Sequence, residues 1–426
     1  MWKAAFDRYR FPERLIEAGV VDLLSIRNRA ARFGAGLPNT IAASVDPASD
    51  LAEYFTHERY VANHAAGSPE FLPDSVVGQV YYALRPFLPK RLRILLQRAY
   101  LSGWDNLAFP AWPVDFTVEH LLEAALVECM KSAGIESLPF IWFWPDGASA
   151  AVIITHDVET CQGRDFSSCL MGIDESFEFR SSFQIIPEKR YSVADTYLQE
   201  IRDRGHEINV QDLNHDGKLF RERDLFLSRV RKINEYGRAW GAKGFRAAVL
   251  YRNLNWYDSL EFEYDMSVPN VAHLEPQRGG CCTTFPYFIG EILELPITTT
   301  QDYSLLHILR QQKIGLWKTQ AGMILDRHGL LHFVTHPDYL LETRAQNLYR
   351  ELLAFLAEIC GKRQLWSALP GQINKWWRMR SQMILVRLGS HWHIQGPGAE
   401  RARVAHAHLE GGRLTYSVEN LVPANP

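Results

Sequence analysis

The sequence predicts an α/β fold built on parallel strands, closed into a barrel or wound as an open sheet, behind a mainly helical first third. Three observations carry this. From residue 148 onward, short runs rich in β-branched and aromatic residues alternate with stretches long enough for crossover helices. Most of these runs stay apolar until their C-terminal ends and then turn ionisable, as in folds whose chemistry sits on the loops leaving the strands. Before residue 148, apolar residues recur instead at helical spacing.

The elements follow in order. Helical periodicity runs through "SVVGQVYYALRPFLPKRLRILLQRAYL" and again through "TVEHLLEAALVECMKSAG", where Thr117 is the expected N-cap and Gly134 the stop. Between them "FPAWPVDF" reads as a connector stiffened by its prolines. The strand runs are "AVIIT" (151–155), "SSFQII" (181–186), "EINV" (207–210), "GFRA" (244–247), "EYDMS" (263–267), "ILELPIT" (292–298) and "LLHFVT" (330–335). Helices near 344–360 and 371–388 follow, and then a tail with the texture of small strands. The expected organisation is a helical extension (1–147), a barrel (148–343), helices (344–388) and a small β tail (389–426).

At 426 residues, with 47% hydrophobic and 22% charged residues, the chain can bury a sizeable core. A net charge of −3 gives no basic field for nucleic acid. No run of about eighteen apolar residues appears, so no membrane span is expected, and the charged start lacks the pattern of a signal peptide. A cytoplasmic location is the resulting expectation. The helix at 89–101 carries Lys90, Arg91, Arg93 and Arg98 beside Leu92, Ile94, Leu95 and Leu96, a pattern of either a solvated face or peripheral membrane contact. The six cysteines form no Cys-x-x-Cys pair and read as reduced thiols. His391, His393, His406 and His408 in the tail read as solvated edge-strand residues.

The densest polar stretch is "GHEINVQDLNHDG" (205–217). Gln211 and His215 lie four apart, a spacing that lets two side chains converge on one metal ion from one turn. The alternative is a polar loop whose Asn and Asp side chains bond their own backbone. "THDVE" supplies His156, Asp157 and Glu159 at the end of the first run, and "THPDY" supplies His336 and Asp338 at the end of the seventh.

Taken together, "AVIITHDVET", "RSSFQIIPEKRY", "GHEINVQDLNHDG", "GFRAAVLYRN", "YDMSVPN" and "FVTHPDY" resemble, in order, the motifs of the polysaccharide deacetylases of the NodB homology type, the family 4 carbohydrate esterases, and their exopolysaccharide-associated bacterial branch. The resemblance covers roughly residues 148–340. It implies a distorted (β/α)7 barrel with a divalent metal, most often zinc, that removes N- or O-acetyl groups from a glycan. It implies Asp157 as general base, Arg246 as the residue that holds it, and His336 as general acid. The metal would fall to Glu159, His215 and Gln211, although a one-residue change of register exchanges Asp157 and Glu159. Asp265, Tyr251 and Asp338 are the expected substrate-side residues, Asp338 also as a tuner of His336; Trp256 and Tyr339 are candidate sugar-stacking rings. His206 precedes its strand and reads as structural.

One position departs from the family pattern. Gln211 stands where the resemblance calls for a histidine, and an amide oxygen is a far weaker zinc ligand than an imidazole nitrogen. Three functions therefore stay open: a metal-dependent deacetylase acting on a polysaccharide or lipid-linked glycan precursor, a catalytically silent glycan-binding or assembly protein on the same barrel, and another metal hydrolase using Asp157, Asp212, His215 and His336.

Overall fold

The structure, a computed structural model, describes residues 8–11, 51–61, 84 and 88–419. The expected helix across 75–83 and 85–87 lies outside the described residues. The described helices are α1 (Leu51–Thr56), α2 (Lys90–Tyr100), α3 (Thr117–Ser132), α4 (Cys161–Glu175), α5 (Asp195–Asp203), α6 (Arg223–Trp240), α7 (Gly315–Leu325), α8 (Thr343–Arg363) and α9 (Pro370–Ser381). The strands are β1 (Ser137–Ile141), β2 (Ala151–Val158), β3 (Ser182–Ile185), β4 (Glu207–Gln211), β5 (Gly244–Arg246), β6 (Tyr264–Asp265), β7 (Tyr287–Ile289), β8 (Ile292–Glu294), β9 (Leu330–Thr335), β10 (Trp366–Ser367), β11 (Ile384–Leu388), β12 (His391–Gln395), β13 (Val404–Glu410) and β14 (Arg413–Val418).

Every strand run read from the sequence from residue 148 to 343 is a strand of one parallel sheet, ordered β9-β2-β3-β4-β5-β6-β8. Its central member, β2, is buried on both faces along its whole length, as a strand between helices and a barrel interior must be. The sheet curls without closing by a ladder: among the described residues no strand pairing joins β8 to β9. Threonines bridge the seam instead. Thr298 Oγ1 donates to the Leu330 carbonyl at 2.7 Å and accepts from the His332 amide at 2.9 Å, and Thr299 Oγ1 donates to the His332 carbonyl at 2.8 Å. Backbone groups that a ladder would have paired are thus satisfied by side chains.

The outer layer buries Val152, Ile154, Phe183 and Phe333 against Leu170, Leu352, Leu353 and Trp317 of the crossover helices. A second apolar cluster joins α3, β1, Trp144 and α9 with β13. That cluster exists because β1 pairs antiparallel with β13, Ser137 opposite His408, so the helical extension and the tail share the sheet β1-β13-β14. The extension therefore ends in a strand, and the tail packs as an accessory sheet. The second post-barrel helix stops at Ser381, short of the expected 388, and Ile384–Leu388 forms a hairpin with β12.

Local expectations fared variously. Gly134 does end α3, with φ +66 and its amide on the Lys131 carbonyl. Thr117 is not the cap: it is the first helical residue, and its amide donates to Asp115 Oδ1 at 2.8 Å, so the capping carboxylate lies two residues upstream. Among the described residues no disulfide joins any of the six cysteines. In the tail, His406 meets Glu419 at 2.7 Å and His408 meets Ser417 at 2.8 Å. No helix among the described residues is long and apolar enough to cross a membrane. On α2, Leu92, Leu95 and Leu96 are exposed, while Arg98 Nε donates to the His307 carbonyl at 2.8 Å, which turns part of the basic face toward the barrel.

Candidate active site

The C-terminal ends of β2, β4, β5 and β9 converge on one buried polar cluster. Asp157 is its floor. Its Oδ2 accepts from Arg246 Nη1 and from Gln211 Nε2, each at 3.3 Å, while Oδ1 is buried without a partner. Burial raises the Asp157 pKa, and the Arg246 and His336 charges offset only part of that. Arg246 is itself wholly buried, its Nη2 donating to Thr155 Oγ1 at 3.1 Å and to His332 Nε2 at 3.3 Å. An arginine side chain only donates, so His332 Nε2 accepts and Nδ1 donates to the Pro296 carbonyl at 3.1 Å. Burial, with Arg246 second, holds the His332 pKa well below its ordinary 6.5.

Two residues beyond Asp157, Glu159 points between two imidazoles. Its Oε1 lies 2.8 Å from His215 Nε2 and 3.7 Å from His336 Nε2. Burial alone would raise the Glu159 pKa; His215 first, then His336 and Arg190, outweigh it and hold the carboxyl far below the usual range. His336 is fixed from behind by Asp302, whose Oδ1 sits 2.6 Å from Nδ1 and whose Oδ2 accepts the His336 amide at 2.8 Å. Burial would lower the His336 pKa, but Asp302 overrides it and, with Glu159 and Asp157, raises it to about 10. At neutral pH His336 is an imidazolium. Tyr339 packs its ring 5.0 Å from that imidazole.

The stretch 211–217 is a loop rather than a helical turn. Asp212 and His215 take left-handed φ of +50 and +53, a conformation that Asp and His adopt more readily than branched residues. Asn214 Oδ1 accepts the Asp216 amide at 3.2 Å and Asp216 Oδ1 accepts the Lys218 amide at 3.0 Å, so the backbone-bonding reading describes these residues. Gln211 and His215 do not converge on one atom: the first reaches Asp157 and the second Glu159.

Asp157, Glu159, Gln211, His215, Arg246 and His336 are thus brought together, and of the expected substrate-side residues Tyr251 and Asp265 are not. Tyr251 is buried in an apolar cluster with Phe220, Phe226 and Tyr257. Trp256 packs against that same cluster. Asp265 lies inside the barrel, accepting from Tyr257 Oη at 2.9 Å and Ser267 Oγ at 2.7 Å, in register with Glu294. Asp338 does not tune His336: its Oδ2 accepts the Glu159 amide at 3.0 Å and its Oδ1 accepts from Thr160 Oγ1, which pins the loop that carries Glu159. His206 is structural, accepting the Ser181 amide at 3.1 Å at the opposite strand end. Asp302 and Arg190 were missed. The strand-end rule could have found Asp302, four residues beyond the "ILELPIT" run; Arg190 lies in a long loop after β3 that no periodicity marks.

The donor set was tested against a divalent metal. Among the described residues no group of three or more His, Cys, Asp or Glu is arranged to hold one. Each ring nitrogen of His215 already faces a neighbour: Nδ1 lies 3.1 Å from Arg190 Nη2, and Nε2 approaches Glu159, although off the line of a hydrogen bond. A histidine that ligates through Nε2 carries its proton on Nδ1 and donates it to an acceptor. A guanidinium is no acceptor. Gln211 turns its Nε2 toward Asp157, and its Oε1 is a poor ligand for zinc. As arranged, these residues do not fit a resident zinc.

Comparison with known proteins adds likeness of architecture. No protein-family model matches the chain, and no curated protein matches it. The chain is similar in structure to polysaccharide deacetylases. A Mycobacterium smegmatis protein assigned to that class is 20% identical, with a TM-score of 0.45, over 56% of this chain and 93% of that one. An allantoinase is 12% identical, at TM-score 0.43, over 55% of this chain and 92% of its own. The peptidoglycan deacetylase PdaC of Bacillus subtilis is 9% identical, at TM-score 0.34, over 55% and 93%.

Proposed function

We propose that the chain is a hydrolase that removes acetyl groups from a glycan, with Asp157 as base and His336 as acid. One observation carries the reading: at the C-terminal mouth of the sheet Asp157 keeps a buried oxygen without a partner, and His336, held from behind by Asp302, turns Nε2 toward Glu159 of the same strand end. The glycan and the acetyl group rest on the motif resemblance of residues 148–340.

In this reading Asp157 takes the proton of the attacking water through Oδ1, the oxygen left free because Arg246 and Gln211 both hold Oδ2. Arg246 fixes the carboxylate's orientation and offsets part of the upward pull of its burial. His336 presents Nε2 to the cleft, since Asp302 holds Nδ1, and delivers a proton to the departing nitrogen or oxygen. Glu159 holds the imidazoles of His215 and His336 in place.

Acetate release from N-acetylglucosamine oligomers and from O-acetylated oligosaccharides tests this. The expected result is release that falls by about 10² to 10⁴ in Asp157→Asn and in His336→Gln, the usual worth of a positioned acid or base. A glycan-binding protein without hydrolysis is the second reading, favoured by Gln211 at the expected histidine position. It predicts saturable oligosaccharide binding with no acetate released by the parent chain.

A further inference from the structure

We infer that this site works without a bound metal and that the guanidinium of Arg190, seated on His215, takes the place of the ion. Four observations on the same few atoms lead there. Arg190 Nη2 lies 3.1 Å from His215 Nδ1 and 3.3 Å from the His215 carbonyl oxygen, so the arginine grips both the ring and the backbone of that residue. Because arginine only donates, Nδ1 is the acceptor and the ring proton sits on Nε2, the nitrogen a metal would need. Nε2 in turn lies 2.8 Å from Glu159 Oε1, off the line of a hydrogen bond, so the ring nitrogen nearest the carboxylate is the protonated one. The remaining expected ligand is an amide, Gln211, whose nitrogen is committed to Asp157.

The exchange conserves charge where it matters. A divalent ion would bring positive charge against Glu159; here the Arg190 guanidinium, seated on His215, and the His336 ring, 3.7 Å from Glu159 Oε1, stand around that carboxylate instead. His215, kept in its left-handed turn and gripped twice by Arg190, relays the arginine's position to Glu159. Arg190 is a positioning residue on this account: it sets the tautomer of His215 and through it the placement of Glu159. The inference concerns the same site as the proposed hydrolysis but does not depend on which bond is cleaved.

The test uses the full chain and reads metal and tautomer rather than turnover. The parent is purified from zinc-supplemented medium, its metal measured by elemental mass spectrometry, and zinc chloride titrated into it by calorimetry. Nitrogen-15 imidazole spectra then report which ring nitrogen of His215 carries the proton. The expected results are far less than one equivalent of zinc and a proton on Nε2. Arg190→Lys should keep that tautomer, because lysine also only donates. Arg190→Gln, whose amide oxygen can accept from Nδ1, should release the tautomer and tighten zinc binding by about 10- to 100-fold, the usual worth of an acceptor behind a ligating histidine. Near one equivalent of zinc in the parent, lost in His215→Ala, overturns the inference. So does a protonated Nδ1 in the parent, or unchanged zinc affinity in Arg190→Gln. Absence of acetate release in the parent bears on the proposed reaction alone.

Discussion

Asp302 is the residue whose effect is most directly measurable. The His336 pKa is raised in the fold to about 10 from 6.5, so the ion pair contributes stability fully below pH 6.5 and loses it as pH rises through about 10. Asp302→Asn keeps the shape and removes the charge. Its thermal midpoint should therefore fall below the parent's across the acidic and neutral range, with the gap closing between pH 6.5 and 10. A constant gap over that range would mean that Asp302 holds the backbone alone, through the His336 amide. In activity, the alkaline limb of the pH profile should move down toward 6.5 in the same variant. This pair also marks where residue-level reading succeeded in part: a strand end that turns ionisable pointed to His336, but the partner that decides its charge lies on the loop after the neighbouring strand β8.

At the scale of elements, the loop from β2 into α4 depends on a glycine that no motif advertises. A Cβ at Gly163 would stand 2.6 Å from Asp338 Oδ2, the atom that accepts the Glu159 amide. Gly163→Ala should therefore displace Asp338, loosen Glu159 and cost about 1–3 kcal/mol of stability, as overpacked sites do. Chemical denaturation measures the stability, and the same variant should lose activity if Glu159 is the hub of the site; a stable variant with full activity would show that Asp338 yields freely. The segment Leu51–Thr56 and the residues after it offer a second case. Glu58 and Arg252 form a wholly buried ion pair, with Nε 2.7 Å from Oε2, and Glu58 Oε1 also accepts the Gly280 amide at 2.6 Å. Glu58→Gln leaves the guanidinium buried without its counter-charge, and the midpoint of urea unfolding should drop by the equivalent of about 3–5 kcal/mol.

At the scale of the whole molecule, the described parts of the extension, the barrel and the tail share one apolar cluster. Leu126, Met130, Ile141 and Trp144 of the extension share an apolar cluster with Trp376 and Trp377 of α9 and with Val404 and Ala405 of β13. A fragment spanning 148–381 would expose the barrel's side of that cluster. It should fail to give a sharp thermal transition, while the full chain melts in one; a cooperative melt of the fragment would show the barrel to be self-sufficient.

The sequence by itself determined the strand runs and their order, because β-branched runs between helix-length segments admit few arrangements when each strand is buried on both faces. It also determined that Asp157, Glu159, His215, Arg246 and His336 share one mouth, since the ends of parallel strands point the same way. Tertiary structure alone decided the rest. Asp265 and Tyr251 turned inward because β6 is short and the loop after β5 folds into the apolar cluster, and neither fact is written in local periodicity. Asp338 served the backbone of Glu159 rather than His336 because α4 begins against it. The tail and the extension became one sheet through a pairing between residues some 270 positions apart, Ser137 with His408, which no local pattern encodes. The commitment of His215 Nδ1 was invisible for the same reason: it hangs on Arg190, twenty-five residues earlier, and only the fold puts a guanidinium against that ring.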